Sequence, residues 1–520
     1  MRRSVIVYIA SVALVAVIVA GVMLVTAGDD VARFHQHLHR PSEAALGACD
    51  CGDDDVLCTH LPLMVIDTFG AEIPGRPLAF GSGIYNDPET LFNHHTTPDG
   101  EEEIAVLVRV IDNANAWNHA ADEAAHESMA MMRLRGNSSR FFDKPNYRIQ
   151  LLQADGEDNP LPLLGMSAHM EWALHGPFLD KTLMRNYMWM NIAAEVMGPG
   201  HFVPEVRFFE LILNGEYQGL YVLMETARVA PDRVNLNRHR PAMPTTSYLV
   251  QLDSHHRRAP ERSMDVFSTH TLRLEYGRSM AIMYPNLRRQ TDDVHGYIAR
   301  SISIAERLLY SPEMIWYTRP YERYMDVDSF VNFFIINEFV GNNDLWANST
   351  FLHKDVRGRL AAGPVWDFNN VMNNYFLEMP AEEFMLADRG WFARLMTCPF
   401  FTDRVIRRWH SLRRNVLCED RLLDYMQQVE DWLGSAIDRN FAVWGHSFDY
   451  TQMSAMARRR PTRAQYEQGV SIRDVNPTSF AQAQAWAREY MVTRGRWLDQ
   501  YIVTLRQFSH TSRHAGVVLQ

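Results

Sequence analysis

The chain has 520 residues, of which 47% are hydrophobic and 22% charged, a composition that excludes a disordered or fibrous protein. Its formal net charge of -11 argues against nucleic acid as a partner. Taken from the N-terminus, Arg2 and Arg3 precede an uncharged apolar run, residues 4–28, long enough to cross a bilayer as a helix. With Asp29 and Asp30 beyond it, the charge asymmetry places the N-terminus in the cytoplasm and the remaining chain outside. An uncleaved signal anchor over residues 1–28 is the preferred reading, and a cut after Ala27 would instead release a secreted protein, in a periplasmic or cell-surface setting.

Residues 29–60 read as an extracytoplasmic tether, with His35, His37 and His39 part of the stalk. Cys49, Cys51 and Cys58 cluster there, whereas Cys398 and Cys418 flank a helical stretch. In an oxidising compartment each group can supply a disulfide, leaving one thiol over. The C-x-C-x6-C spacing also suggests zinc, but no fourth ligand follows at a matching interval except His60, so disulfide or structural thiol is preferred.

From residue 61 the pattern is globular, and residues 61–520 are expected to form one domain. Strand-like runs occupy 101–112, 129–136 and 146–153. Residues 180–198 have helical periodicity, with Asp180 as the expected N-cap and Gly198 as the stop. Two apolar runs around Asn214-Gly215 predict a hairpin over 206–226. Short strands, including "HTLRLEY" and "SMAIMYP", interrupt an irregular stretch over 253–295. Helices are expected at 294–311 and 326–341, the second apolar nearly all round and therefore buried. Residues 349–366 read as strand, turn at Arg357-Gly358, and strand; from about 390 to 510 the pattern is helical. The basic run Arg458, Arg459, Arg460 and Arg463 reads as a solvated loop. Strand and helix do not alternate, which favours an α+β fold with a β-rich N-terminal part and a helical C-terminal part.

Chemistry concentrates in two polar clusters, "NNDLWANST" (342–350) and "GPVWDFNN" (363–370). The hairpin between them returns the chain on itself, so Asp344 and Asn348 are expected beside Asp367. Two carboxylates and an amide oxygen suit a hard divalent cation such as Mg²⁺ or Mn²⁺. Protein kinases combine such groups: one Asp orients the hydroxyl, while an Asn and a second Asp bind metal. Upstream, Gly136, Ser138 and Ser139 form a polar turn between two strands, where small residues allow backbone N–H groups to approach phosphates. Lys144 and Arg148 follow it and supply positive charge.

The segments "RLRGNSS…KPNYRI", "EWALHGPFLDKTLMRN", "FFELILNGEYQGLYVLMET", "SYLVQLDS", "DSFVNFFIINEFVGNNDLWANSTFLHKD" and "GPVWDFNN" stand in the order of the CotH kinase family, which the chain resembles from about residue 125 to at least 440. The resemblance implies an atypical, secretory-type protein kinase fold that binds ATP with Mg²⁺ (or Mn²⁺) and phosphorylates Ser or Thr of exported proteins. On matching positions it makes Asp344 the catalytic aspartate, Asp367 the metal-binding aspartate and Asn348 a second metal ligand. It makes Arg135, Gly136, Ser138 and Ser139 the phosphate loop, and Lys144, with Arg148 as substitute, the phosphate-contacting cation. It brings Glu225 near the nucleotide and gives Arg185 the task of tying its helix to the site; Asp253 carries no spacing argument. Two departures are visible: Asn369 replaces the second acid of the family's Trp-Asp-Phe-Asp, and Gln150 stands where lysine is frequent. The alternatives are a catalytically inactive binding module of the cell envelope on the same fold, or a metal-dependent enzyme of other phosphoryl or nucleotidyl chemistry.

Overall fold

The computed structural model describes residues 33–52, 57–77, 94–253, 266–269, 280–286, 289–311, 319–346, 348–374, 379–453 and 457–510. The expected anchor (4–28) and the "HTLRLEY" run lie outside these residues. No helix among the described residues is long and apolar enough to cross a membrane. The chain divides into two units, Met1–His39 and Arg40–Gln520. In the first, the described part is a short 3-10 helix, Arg33–His39. Residues 40–60, expected within the tether, belong instead to the second unit. Arg40 forms a two-pronged ion pair with Asp112, one prong of 2.6 Å, and His60 Nε2 lies 2.7 Å from the Trp432 carbonyl.

Seven strands of the larger unit close into a barrel: β1 (Leu63–Asp67), β2 (Ile104–Ile111), β3 (His126–Arg135), β4 (Asn146–Leu152), β5 (Glu171–His175), β6 (Val206–Leu213) and β7 (Glu216–Glu225). Their order around the barrel is β1-β2-β3-β4-β5-β7-β6. Each neighbouring pair is antiparallel except the closing one, in which β1 runs parallel to β6 with Leu63 opposite Glu210. Period-two burial fixes the inward face: Ile104, Val106, Val108 and Val110 are buried along β2 while Ala105 is exposed. Met64, Met132, Ile149, Trp172, Phe209 and Tyr221 help to fill the interior. The β6–β7 turn has Asn214 and Gly215 both at positive φ (53° and 81°), the type I′ geometry that this dipeptide favours.

Between β5 and β6 lies helix α1 (Arg185–Met197), buried along nearly its whole length. It starts later than its periodicity suggested. Asp180 does not cap it directly; its carboxylate accepts from the backbone N–H of Thr182 (3.0 Å) and of Arg185 (2.7 Å), and so organises the turn leading into the helix.

A second sheet, of order β12-β11-β8-β10-β9, comprises β8 (Tyr248–Leu252), β9 (Val266–Phe267), β10 (Met280–Tyr284), β11 (Thr350–Lys354) and β12 (Leu360–Ala362). Helices α2 (Asp292–Tyr310) and α3 (Val327–Val340) precede β11. All but one residue of α3 are buried, Asp326 caps its N-terminus, and Gly341 ends it in the left-handed conformation. The C-terminal part contains α4 (Gly390–Leu395), α5 (Pro399–Arg413), α6 (Glu419–Leu433), α7 (Ser435–Trp444) and α8 (Phe480–Tyr501). The larger unit is thus mixed α+β, β-rich first and helical last.

Helix α8 is locked to α3 by a buried ion pair. The Arg494 guanidinium meets Glu338 Oε1 at 2.5 Å and its carbonyl at 2.7 Å, and the same carboxylate accepts from the backbone N–H groups of Met385 and Leu386. Glu338 lies three residues before the turn that opens the first polar cluster.

Candidate active site

A cavity of about 1080 Å³ is lined by residues of the barrel, the second sheet and the C-terminal helices. Both polar clusters open into it. The first forms as α3 ends: Asn342 Oδ1 accepts from the Asp344 backbone N–H (3.2 Å), and Asn348 Nδ2 donates to Asp344 Oδ1 (3.0 Å). The second returns after β12 and is bound to the first. Ser349 Oγ donates to Asp367 Oδ2 (3.3 Å), and Asn370 Nδ2 reaches Asp344 Oδ2 (3.5 Å). Hence the hairpin, now β11 and β12 with Leu352 opposite Ala362, brings Asp344, Asn348 and Asp367 together.

Backbone strain gathers at the same place. Trp346 (φ 64°), Ser349 (φ 48°) and Asp367 (φ 66°) are left-handed without being glycine. Such conformations cost of order 1–3 kcal/mol each and persist where the surroundings enforce them. Here Phe368 N–H donates to Asn186 Oδ1 (2.8 Å) and Arg185 Nε to the Val371 carbonyl (3.1 Å). Helix α1 therefore clamps the Asp367 segment through two adjacent residues.

A third carboxylate arrives from β8. Asp253 Oδ2 accepts from the Ser349 backbone N–H (3.3 Å) and from Gln251 Nε2 (3.1 Å), and Asp253 lines the cavity. Burial, then the charges of Asp344 and Asp253, push the Asp367 carboxyl up to about 6, although Arg135 and the Ser349 hydroxyl pull the other way. Asn369 also lines the cavity, and its Oδ1 is buried with no hydrogen-bond partner among the described residues. Crowded carboxylates, with the proton held more tightly on Asp367, and a buried amide oxygen form an oxygen-rich donor set that fits a hard divalent cation. Asp367, Asn348, Asn369 and Asp253 are the residues able to hold one.

Basic groups line the same cavity, one of them beside the Asp367 segment. Arg135, at the end of β3, lays its guanidinium over the Trp366 ring, 4.8 Å from the centroid. The turn from Gly136 to Ser139 follows, with Ser138 and Ser139 also lining the cavity. Gly136 has φ 108°, a conformation that strains any other residue, and a Cβ there would also displace the Ser139 hydroxyl, 2.0 Å away. Arg148 lies on the same wall but is engaged: it pairs with Glu171 (2.7 Å) and Glu103 (2.5 Å) and donates to Gln150 Oε1 (2.8 Å). Burial disfavours ionisation of Glu171, but Arg228 and Arg148 outweigh it and hold the carboxyl far below its usual range.

Two residues assigned to the nucleotide lie elsewhere. Lys144 is fully buried outside the cavity wall; its ammonium donates to the Leu220 carbonyl and to Asn440 Oδ1 (both 2.6 Å) and stacks on Tyr221. Burial drives its pKa well down, and its role is to join β7 to α7. Glu225 faces away from the cavity, accepting from the Glu205 N–H (2.8 Å) and pairing with Arg233 (3.8 Å), whereas its neighbours Met224 and Thr226 line the wall. The period-two alternation of a strand explains the difference.

Several cavity residues have no role in the site assigned from the sequence. Asp253, Glu171 and Arg228 arrive from separate segments, the first two inside family-like motifs, and only the folded chain joins them. Lys181 lines the cavity with its ammonium donating to the Phe178 carbonyl, and burial pulls its pKa down to about 7. Arg458 and Arg459 belong to the wall rather than to a solvated loop, and Arg459 donates to the Asn373 carbonyl (2.9 Å) and Oδ1 (2.7 Å).

The CotH kinase protein family matches residues 132–498, more than half of the chain, and the chain belongs to that family. No individual curated protein matches it. Membership makes this a kinase-like enzyme of the transferase class, whose chemistry uses nucleotide and metal in general.

Proposed function

We propose that the chain is a protein kinase that transfers the γ-phosphoryl group of ATP to Ser or Thr of exported or envelope proteins, with Mg²⁺ or Mn²⁺ at the site. The observation that carries this reading is the meeting of Asp344, Asn348, Asp367 and Asp253 in one nucleotide-sized cavity that Arg135 and the Gly136–Ser139 turn also line. In this reading Asp344 orients the substrate hydroxyl and accepts its proton as oxygen attacks the γ-phosphorus and the bond to ADP breaks. Arg135 and the turn hold the phosphates. Asp367, Asn348 and Asn369 hold the divalent ion, which when bound neutralises phosphate charge. Residues 4–28 anchor the chain, with the enzyme outside the cytoplasm.

The test incubates the full-length protein, in detergent, with γ-labelled ATP and Mg²⁺ or Mn²⁺, beside Asp344→Asn, and weighs the products. Phosphate added by wild type and lost in the variant is the expected result. Added nucleotide would mean nucleotidyl transfer. No product together with Mg-ATP-dependent thermal stabilisation would mean a binding module, the reading that Asn369 in place of an acid favours. Protease accessibility of the intact cell surface tests the orientation.

A further inference from the structure

Cys49, Cys51, Cys58 and His119 do not line the cavity and take no part in the proposed chemistry. Their four ligand atoms all lie within 4.8 Å of one another. Cys49 Sγ stands 3.2 Å from His119 Nε2, and Cys51 Sγ stands 3.2 Å from Cys58 Sγ. That sulfur separation is well beyond the ~2.05 Å of a disulfide bond, and no disulfide links the five cysteines. Of the two sequence readings, disulfide or structural thiol, this geometry favours the thiol. His60, the fourth ligand considered from spacing, is turned to the Trp432 carbonyl instead.

We infer that Cys49, Cys51, Cys58 and His119 form a structural zinc site that staples the segment before β1 to the β2–β3 loop. Zinc binds Cys sulfur at ~2.3 Å and His nitrogen at ~2.0–2.1 Å in a tetrahedron, so its ligand atoms sit ~3.5–3.8 Å apart. The observed cluster reaches that shape by shifts of a few tenths of an ångström to about 1 Å. Three thiolates and one imidazole fill a tetrahedron, which leaves no open position for catalysis and marks a structural site.

The histidine is already aimed. Its Nδ1 lies 3.3 Å from Asp122 Oδ2, which leaves the Nε2 lone pair directed at the sulfurs. A carboxylate behind a ligating imidazole is the usual outer shell of a zinc histidine. Asp122 is itself held, its Oδ2 accepting from the His119 backbone N–H (2.9 Å) and from Asn113 Nδ2 (2.8 Å). The two segments are in register before any ion arrives. Thr59 and Asn118, each next to a ligand, exchange backbone hydrogen bonds of 3.1 and 2.7 Å, and Asn118 Nδ2 donates to the Leu61 carbonyl (2.9 Å). Cys51 is exposed and the other three are half-buried, so an ion can enter from solvent.

The full-length protein, purified with reductant and without chelator, is assayed for zinc by elemental analysis, then reloaded with Co²⁺ as a spectroscopic reporter. One zinc per chain, and the sulfur-to-cobalt charge-transfer and tetrahedral ligand-field bands, are expected. Both should vanish in the Cys51→Ser, Cys58→Ser double variant. Asp122→Asn, which keeps all four ligands, should weaken Zn²⁺ affinity 10–100-fold, and this variant decides the matter if the double variant fails to fold. A metal-free protein whose thiols all react with a thiol reagent would overturn the inference. So would a Cys51–Cys58 disulfide in non-reducing peptide maps, or bound zinc unchanged in both variants. Phosphotransfer is not needed for any of these readouts, so the outcome is independent of the proposed function.

Discussion

Replacing Asp367 with asparagine should make the metal-free protein more stable while disabling it. The Asp367 carboxyl is raised from its usual 3.8 to about 6 by burial and by Asp344 and Asp253. The folded protein thus holds this proton more tightly than the unfolded chain. Stability from the protonated carboxyl is fully present below about pH 4 and is lost as pH rises through 6. At neutral pH the loss corresponds to about 3 kcal/mol at most. Asn removes the charge but keeps an oxygen able to accept from Ser349 Oγ, so a net gain of about 1–2 kcal/mol is expected in chelator at pH 7. The assay is urea denaturation of wild type and Asp367→Asn between pH 4 and 7, with and without Mn²⁺. Taking the difference between the two proteins cancels carboxyls shifted the other way, such as Glu43, whose pKa is drawn down to about 2 by His60 and Ser435 against the opposing effect of burial. Mn²⁺ should stabilise wild type and not the variant. Equal stability of the two in chelator at pH 7, or parallel pH profiles, would refute the argument.

Asp344→Asn should lower the phosphotransfer rate about 10²–10⁴-fold while retaining Mg-ATP-dependent thermal stabilisation, measured by single-turnover kinetics and melting curves. Lys144→Met should leave KM for the nucleotide unchanged, because the ammonium serves Leu220 and Asn440, whereas Arg135→Ala should raise KM; steady-state kinetics distinguish them. Arg494→Ala strands a buried carboxylate at Glu338 and should cost about 3–5 kcal/mol in chemical denaturation. Gly390→Ala places a Cβ 1.8 Å from the Trp346 ring at φ 52°. It should cost about 1–3 kcal/mol and slow phosphotransfer, since Trp346 lies two residues beyond Asp344.

Much of the site was legible in the chain itself. Turn residues at Gly358 and apolar runs on either side fix a hairpin, and a hairpin returns whatever follows it to whatever precedes it. Asp344 and Asp367 therefore had to be neighbours. The all-round apolar pattern of 327–340 likewise required a buried helix, and Asn214-Gly215 required a tight turn. These features depend on residues close in sequence, where periodicity and turn chemistry act directly.

Other features were decided only by long-range pairing. Closure of the barrel rests on β1 lying beside β6, more than 130 residues further along the chain by number. Lys144 follows a phosphate-loop-like turn, yet the arrival of Asn440 on α7 gives its ammonium a buried partner and takes it out of the cavity wall. Asp253 joins the site because β8 pairs with β11, opposite Thr350 through its neighbour Leu252. Three cysteines before the barrel acquired a fourth ligand from His119 through the Thr59–Asn118 bridge. Local sequence sets which groups are present and which way a turn or helix face points. Which distant groups share a low-dielectric pocket, and hence their charge state and use, is fixed only when the tertiary structure buries them together.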